Sequence, residues 1–186
     1  MEVFKELLEV NPVIPAVKSE EELDQALQSD VGIIFVLFGD LLSLGNLANK
    51  IHEKGKMGII HIDLVEGLSS KEISASYIKR HTVFEGIIST KPQLIRAAKK
   101  EGLIAIQRVF ILDNISLMSA KTHVEKQCDA IEMLPGLLFK TIKELCRTVN
   151  KPLIAGGLIA DKEDVMEALK AGAAAISTSK MDIWYM

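Results

Sequence analysis

The residues with the clearest chemical signature lie in the last third of the chain. Lys151-Pro-Leu-Ile-Ala-Gly156-Gly157 ends in paired glycines, and Gly172-Ala-Ala-Ala-Ile-Ser177-Thr178-Ser179 ends in three hydroxyl side chains, with a capped helix from Asp161 to Lys170 between them. Glycines let backbone N–H groups approach an anion and a helix start adds positive potential, so two such strand ends side by side suit a bound phosphate. Close strand packing with a polar loop is the alternative.

Four further residues could bind a ligand or move a proton. The strand period of two puts His61 and Asp63 on one face, as it does Ser177 and Ser179. His61 with Asp63 suits a base and its orienting partner, or half of a metal site. A metal needs further ligands, and His52, His81 and His123 fall in helices or at helix ends, so no metal is expected. A hydrogen-bonded interior histidine is the plainer reading of His61. Glu132 lies mid-strand in Ala130-Ile-Glu-Met-Leu134, where a buried carboxylate demands a partner, either Arg108 or a ligand hydroxyl. Gln107 stands beside Arg108 at another strand end. Asp63 and Glu132 could also act as acid and base of an isomerase, whereas a Schiff-base aldolase needs a lysine within a strand interior and no strand here supplies one.

These residues need a scaffold that gathers strand ends. Apolar runs that fit buried strands begin near Val13, Ile33, Ile59, Gly86, Ile104, Ala130, Pro152 and Ala174. Helical patterns separate them, at Ser19 to Leu27, Leu41 to Lys54, Glu72 to Arg80, Lys91 to Glu101, Ile115 to Gln127, Gly136 to Arg147 and Asp161 to Lys170. Strict alternation of strand and helix implies a parallel sheet covered by helices. Eight near-equal units predict a compact (β/α)8 TIM barrel; an open doubly wound sheet would want a Gly-rich first turn that is missing. Phe4, Leu7 and Leu8 fall at helical spacing before the first strand and suit a short helix plugging the bottom of the barrel. After Ser179 only a truncated eighth helix fits, so Trp184 and Tyr185 must cover what a full helix covers. That shortfall is expected to leave an apolar face for a homo-oligomer.

At 186 residues, with 48% hydrophobic and 25% charged residues, the chain reads as one domain over 1–186 with a single core. The net charge of −3 makes no strong field toward nucleic acid or an anionic membrane. Cys128 and Cys146 lie outside any CxxC or Cys/His cluster and are expected to be reduced. With no apolar run approaching the roughly 20 residues of a membrane span and no leader-like start, a cytoplasmic location without membrane partners is expected.

His61-Ile-Asp-Leu-Val-Glu-Gly67, Gly86-Ile-Ile-Ser-Thr-Lys91, Gln107-Arg-Val-Phe110, Ile131-Glu-Met-Leu-Pro-Gly136 and Ala155-Gly-Gly-Leu158, in that order, resemble the glycerol uptake operon antiterminator regulatory proteins of bacteria. The resemblance covers essentially the whole chain. It implies a barrel that binds glycerol 3-phosphate as an effector, without a cofactor, and acts on the leader mRNA of a glycerol operon to prevent premature transcription termination. On that implication a phosphate sits at Gly156, Gly157, Thr178 and Ser179, with two hydroxyls in reach of Asp63, Glu132 or Gln107. RNA contact has thin support in the residues themselves, since aromatics are 5% and the charge is negative. The candidate RNA-binding residues are Lys140, Lys143 and Arg147, which at i, i+3 and i+7 form one stripe, with Lys151 just beyond; Lys79-Arg80 and Lys99-Lys100 close two other helices, where cations also serve helix C-termini. An isomerase or aldol-type enzyme acting on a small sugar phosphate is the rival reading.

Overall fold

A computed structural model describes residues 2–124 and 126–186. Eight parallel strands, β1 (Val13–Val17), β2 (Ile33–Val36), β3 (Met57–His61), β4 (Gly86–Ser89), β5 (Ile104–Phe110), β6 (Ala130–Leu134), β7 (Leu153–Gly156) and β8 (Ala175–Thr178), pair in chain order and close when β8 meets β1. The helices are α1 (Glu2–Val10), α2 (Glu20–Ala26), α3 (Leu44–Glu53), α4 (Ile73–His81), α5 (Pro92–Lys100), α6 (Asn114–His123), α7 (Phe139–Thr148), α8 (Lys162–Lys170) and α9 (Met181–Trp184). This is the expected (β/α)8 barrel. Strands of this kind are buried on both faces and read as continuous apolar runs, which is why their starts were legible.

The period of two sorts each strand between two cores. Ile14, Ala16, Ile33, Phe35, Ile59, Ile88, Ile104, Ile106, Ala130, Ile154 and Ala175 fill the barrel interior. Their neighbours Val13, Ile34, Ile60, Ile87, Ala105, Ile131, Met133, Ala155 and Ile176 pack outward against the helices. Phe4 and Leu8 of α1 join the interior cluster, with Leu7 packed beside it. A Cβ on Gly32 would lie 2.7 Å from Leu7 Cδ2, so the barrel floor is shaped to take this helix.

The other terminus carries the expected truncated eighth helix. α9 is a single turn, but Ile183 and Trp184 are buried, Trp184 Nε1 donates to Thr178 O at 2.9 Å and Tyr185 OH donates to Gln25 O at 2.9 Å. One indole fills the place of a missing helix and ties itself to β8, while Met181, Tyr185 and Met186 stay exposed around it. A second group of exposed apolar side chains, Leu112, Ile115 and Met118, lies around α6.

Several helix boundaries shift for local reasons. The Leu41 to Lys54 pattern begins as helix only at Leu44, because Asp40 Oδ1 accepts from the N–H groups of Leu42 and Ser43 and closes a turn first. α6 starts at the capping box of Asp113 and Ser116 and ends at His123, short of the expected Gln127; Glu125 in that span lies outside the described residues. α7 begins at Phe139 rather than Gly136.

Candidate functional site

The carboxyl ends of the strands surround a cavity of about 510 Å³, within the range of small-molecule sites. Glu132, Gly157, Ser177, Thr178 and Ser179 line it, together with Ala16, Lys18, Leu37, Arg108, Leu158 and Lys180. Ser177 and Thr178 are held differently although adjacent. Ser177 faces the interior and its Oγ donates to Glu132 Oε1 at 2.7 Å, while Thr178 Oγ1 donates to Ile159 O at 2.9 Å and braces the loop after β7. Ser179 Oγ accepts from Lys18 Nζ at 3.2 Å.

Glu132 is 1% exposed and spends both oxygens inside the protein, since its Oε2 accepts from Arg108 Nε at 2.7 Å. The Glu–Arg pair weighed from sequence is therefore present. Such a pair, buried together, offsets much of the cost of taking either charge out of water. Gly156 exists for this pair: a Cβ there would stand 2.7 Å from Ser177 Oγ and 2.9 Å from Glu132 Oε1. Gly157 has φ +75°, and Leu158 follows at φ 64°, a conformation a leucine adopts only under constraint.

His61 and Asp63 do not share a strand face. β3 stops at His61, and Ile62–Leu64 winds into a 3₁₀ turn that swings Asp63 toward the end of β4. There Asp63 accepts from Ser89 Oγ, Thr90 N and Thr90 Oγ1, with Lys91 Nζ 3.5 Å away. Burial raises the Asp63 pKa, but the Thr90 N–H, the two hydroxyls and the Lys91 charge outweigh it and hold it below the ordinary value. His61 stays in the interior, 3% exposed, and its Nδ1 has no partner among the described residues. Burial, then the nearby Arg108 charge, push its pKa down to about 4, so the ring is neutral at physiological pH. An unsatisfied buried polar atom costs about 1–3 kcal/mol and calls for an explanation.

Gln107 faces the other way. Ile106 is interior and Ala105 and Val109 pack outward, so Gln107 points to the helix side and lines a separate cleft of about 280 Å³ with Thr90, Ser116 and His123. Arg108 borders both spaces. His61, Asp63, Gln107 and Gly156 thus do not line the main cavity, whereas Glu132, Gly157 and Ser177 to Ser179 do.

Lys18 and Lys180 were missed as site residues. Each directly follows a strand end or its hydroxyl run, a cation where a barrel presents its ligands, and that signal was readable. The start of α8, in contrast, is occupied: Asp161 Oδ1 accepts from Asp164 N at 2.9 Å and Asp164 Oδ2 from Ala160 N at 2.9 Å. The positive potential at the cavity therefore comes from side-chain cations more than from that helix start. Among the described residues no group of three or more potential metal ligands gathers.

On the outer wall, Lys140, Lys143 and Arg147 are exposed on α7. Glu144 interrupts the stripe and pairs with Lys121 of α6. Lys99 is committed to Asp129 at 2.8 Å, so the Lys99-Lys100 pair is not a free basic patch.

The fold and the cavity define a small TIM barrel with a cationic, hydroxyl-lined mouth. Residues 13–184 match the family model of the glycerol-3-phosphate responsive antiterminators, and the chain belongs to that family. It is 41% identical over 179 residues to the uncharacterized protein YgcP of Escherichia coli K12, covering 96% of this chain and 94% of that one. A glycerol uptake operon antiterminator regulatory protein from Listeria monocytogenes superposes with a TM-score of 0.89 at 31% identity, over 92% of this chain and 94% of the other. A glycerol uptake operon antiterminator-related protein from Thermotoga maritima gives 0.84 at 29% identity, over 95% and 99%.

Proposed function

We propose that the mouth cavity binds glycerol 3-phosphate, and that the loaded protein acts on the leader mRNA of a glycerol operon to prevent premature termination. The phosphate lies against Gly156, Gly157 and Ser177 to Ser179, with Lys18 and Lys180 beside it, and the glycerol end lies toward Arg108 and Glu132. The observation that carries this reading is the convergence of three cations and three hydroxyls on one cavity in a chain of the antiterminator family. Coupling to RNA is a linkage: the ligand must bind the RNA-competent state better than the other, or it shifts nothing. Lys140, Lys143 and Arg147 offer phosphate contacts on the outer wall, and an mRNA target places the protein in the cytoplasm. No helix among the described residues is long and apolar enough to cross a membrane.

The engagement of Asp63 by Ser89 and Thr90, and of Glu132 by Arg108 and Ser177, supports a sensor over an enzyme, because both candidate acid–base groups are already hydrogen-bonded. Phosphorus NMR of the protein with glycerol 3-phosphate tests the reading. A broadened or shifted line without a new species is expected. A new phosphorus signal that grows with time makes the protein an enzyme, and an unperturbed line at millimolar ligand removes the effector. For the RNA half, the triple change Lys140→Glu, Lys143→Glu and Arg147→Glu is expected to weaken ligand-dependent RNA retention by about tenfold or more, through lost phosphate neutralisation, with ligand affinity unchanged. Unaltered retention takes the stripe out of the interface.

A further inference from the structure

We infer that the cleft between the end of β5 and α6 is a pocket for one unstacked base of single-stranded RNA, with Phe110 as its stacking face. This inference deepens the RNA half of the function proposed above and rests on it.

A chain with few aromatic residues exposes one here. Phe110, the last residue of β5, is 49% exposed, whereas every other phenylalanine among the described residues is buried or half-buried. The other exposed aromatic ring among them, Tyr185, is tied by its hydroxyl to Gln25 O. Phe110 borders the cleft of about 280 Å³ together with Gln107, Arg108, Ser119 and His123. A phenyl face offers a base its π-surface, and amide, guanidinium, hydroxyl and imidazole groups match the donors and acceptors on a base edge. Several of these groups are unspent among the described residues. His123 uses Nδ1 on Thr122 at 2.7 Å, Arg108 uses Nε on Glu132, and Ser119 Oγ has no partner there. That leaves His123 Nε2, the two Arg108 Nη groups and the Ser119 hydroxyl for an incoming edge. The space suits one ring system and is too small for a helix of a protein partner.

Charge identifies the partner. α6 forms one wall of the cleft and packs with α7, where Lys121 pairs with Glu144. On α7, Lys140, Lys143 and Arg147 are exposed and have no carboxylate partner among the described residues. Between the cleft and these cations α6 presents Ile115 and Met118, both exposed. Single-stranded RNA needs this combination, cations along which the phosphates run and an apolar, aromatic face for bases turned out of the stack. A second copy of the chain fits less well, because a two-fold contact through this face would bring two cationic stripes to one interface, whereas RNA supplies the opposite charge. Position adds a further reason. Arg108 borders both this cleft and the mouth cavity, so a base in one and the effector in the other meet at a single guanidinium, which gives ligand-dependent RNA binding a physical link.

Filter retention of a labelled glycerol operon leader transcript by the whole protein, at saturating glycerol 3-phosphate, is the test. Phe110→Leu keeps an apolar side chain but loses the ring, and it is expected to weaken retention about tenfold, while Phe110→Tyr keeps it. Calorimetry without RNA is expected to give Phe110→Leu the unaltered protein's affinity for glycerol 3-phosphate, since Phe110 does not line the mouth cavity. With 4-thiouridine in the transcript, ultraviolet cross-links are expected within residues 107–123. Full retention by Phe110→Leu overturns the base pocket and leaves the RNA function standing. Equal loss in Phe110→Tyr overturns the stacking role. If sedimentation without RNA shows the unaltered protein as a dimer and Phe110→Leu as a monomer, the face belongs to a second copy and the pocket is overturned. If the unaltered protein retains no transcript with or without glycerol 3-phosphate, the RNA function and the pocket fall together.

Discussion

Around the β7–β8 side of the mouth, two runs of hydrogen bonds start from adjacent residues of β8. Trp184 holds Thr178, Thr178 holds Ile159, Ser177 holds Glu132, and Glu132 holds Arg108. Across the barrel, α6 sends only Ala120 fully into the core, leaves Ile115 and Met118 in solvent, and stands off from Gln107 and Arg108 across a cleft. A small polar ligand gains most from donors already in position, because ordering them on binding would cost part of the affinity. An element with few buried contacts has the lowest local stability and moves first. The contrast thus separates a preformed ligand rim from the helix with the least to lose by shifting, and Arg108 borders both.

The largest break in that contrast comes from the rim. Glu132→Ala leaves the Arg108 guanidinium buried without its counter-charge and is expected to cost about 3–5 kcal/mol, read as a lowered denaturation midpoint. A cost below about 1 kcal/mol would mean the rim is no tighter than the rest of the mouth. The next effect is a pH dependence from His61. Its folded pKa of about 4 lies below the ordinary 6.5, so the unfolded chain takes up the proton first. The stabilisation from keeping this ring neutral is complete above pH 6.5, is lost as pH falls from 6.5 toward 4, and amounts to about 3 kcal/mol. His61→Asn is expected to flatten that slope in a series of denaturation curves, and an unchanged slope would place the proton uptake on another group. The smallest effect belongs to α6. Ile115→Ser and Met118→Ser are each expected to change stability by under about 0.5 kcal/mol. Hydrogen exchange should meanwhile find α6 amides opening before those of β7 and β8.

The barrel itself was legible because each buried parallel strand is a short apolar run, and a run such as Ile33–Val36 stands out from charged helices without any knowledge of its neighbours. The carboxyl-end rule then pointed to Glu132, Gly157 and Ser177 to Ser179, and the structure places all of these around one cavity. The rule failed where the strand period stopped. Asp63 was paired with His61 by counting in twos, but the backbone turns into a 3₁₀ helix after His61, a change of two dihedrals that no composition announces. Gln107 was placed with the ligand because it ends a strand, yet parity along β5 turns it outward and Arg108 inward. Lys18 and Lys180 were readable by the same rule and were passed over in favour of glycines and hydroxyls.

What the amino-acid order determined by itself is the set of local decisions: apolar runs that become strands, Asp113 and Asp161 that start helices, and the alternation that allows only a parallel, helix-covered sheet. These depend on side chains a few residues apart, whose interactions survive in any compact state. Closure decided the rest. Only when β8 met β1 did Lys18 come within 3.2 Å of Ser179, and only when β5, β6 and β8 stood around one axis did Arg108, Glu132 and Ser177 become a single chain of bonds. Residues 45 and 161 positions apart meet through the barrel geometry alone, and burial in the barrel interior keeps His61 neutral.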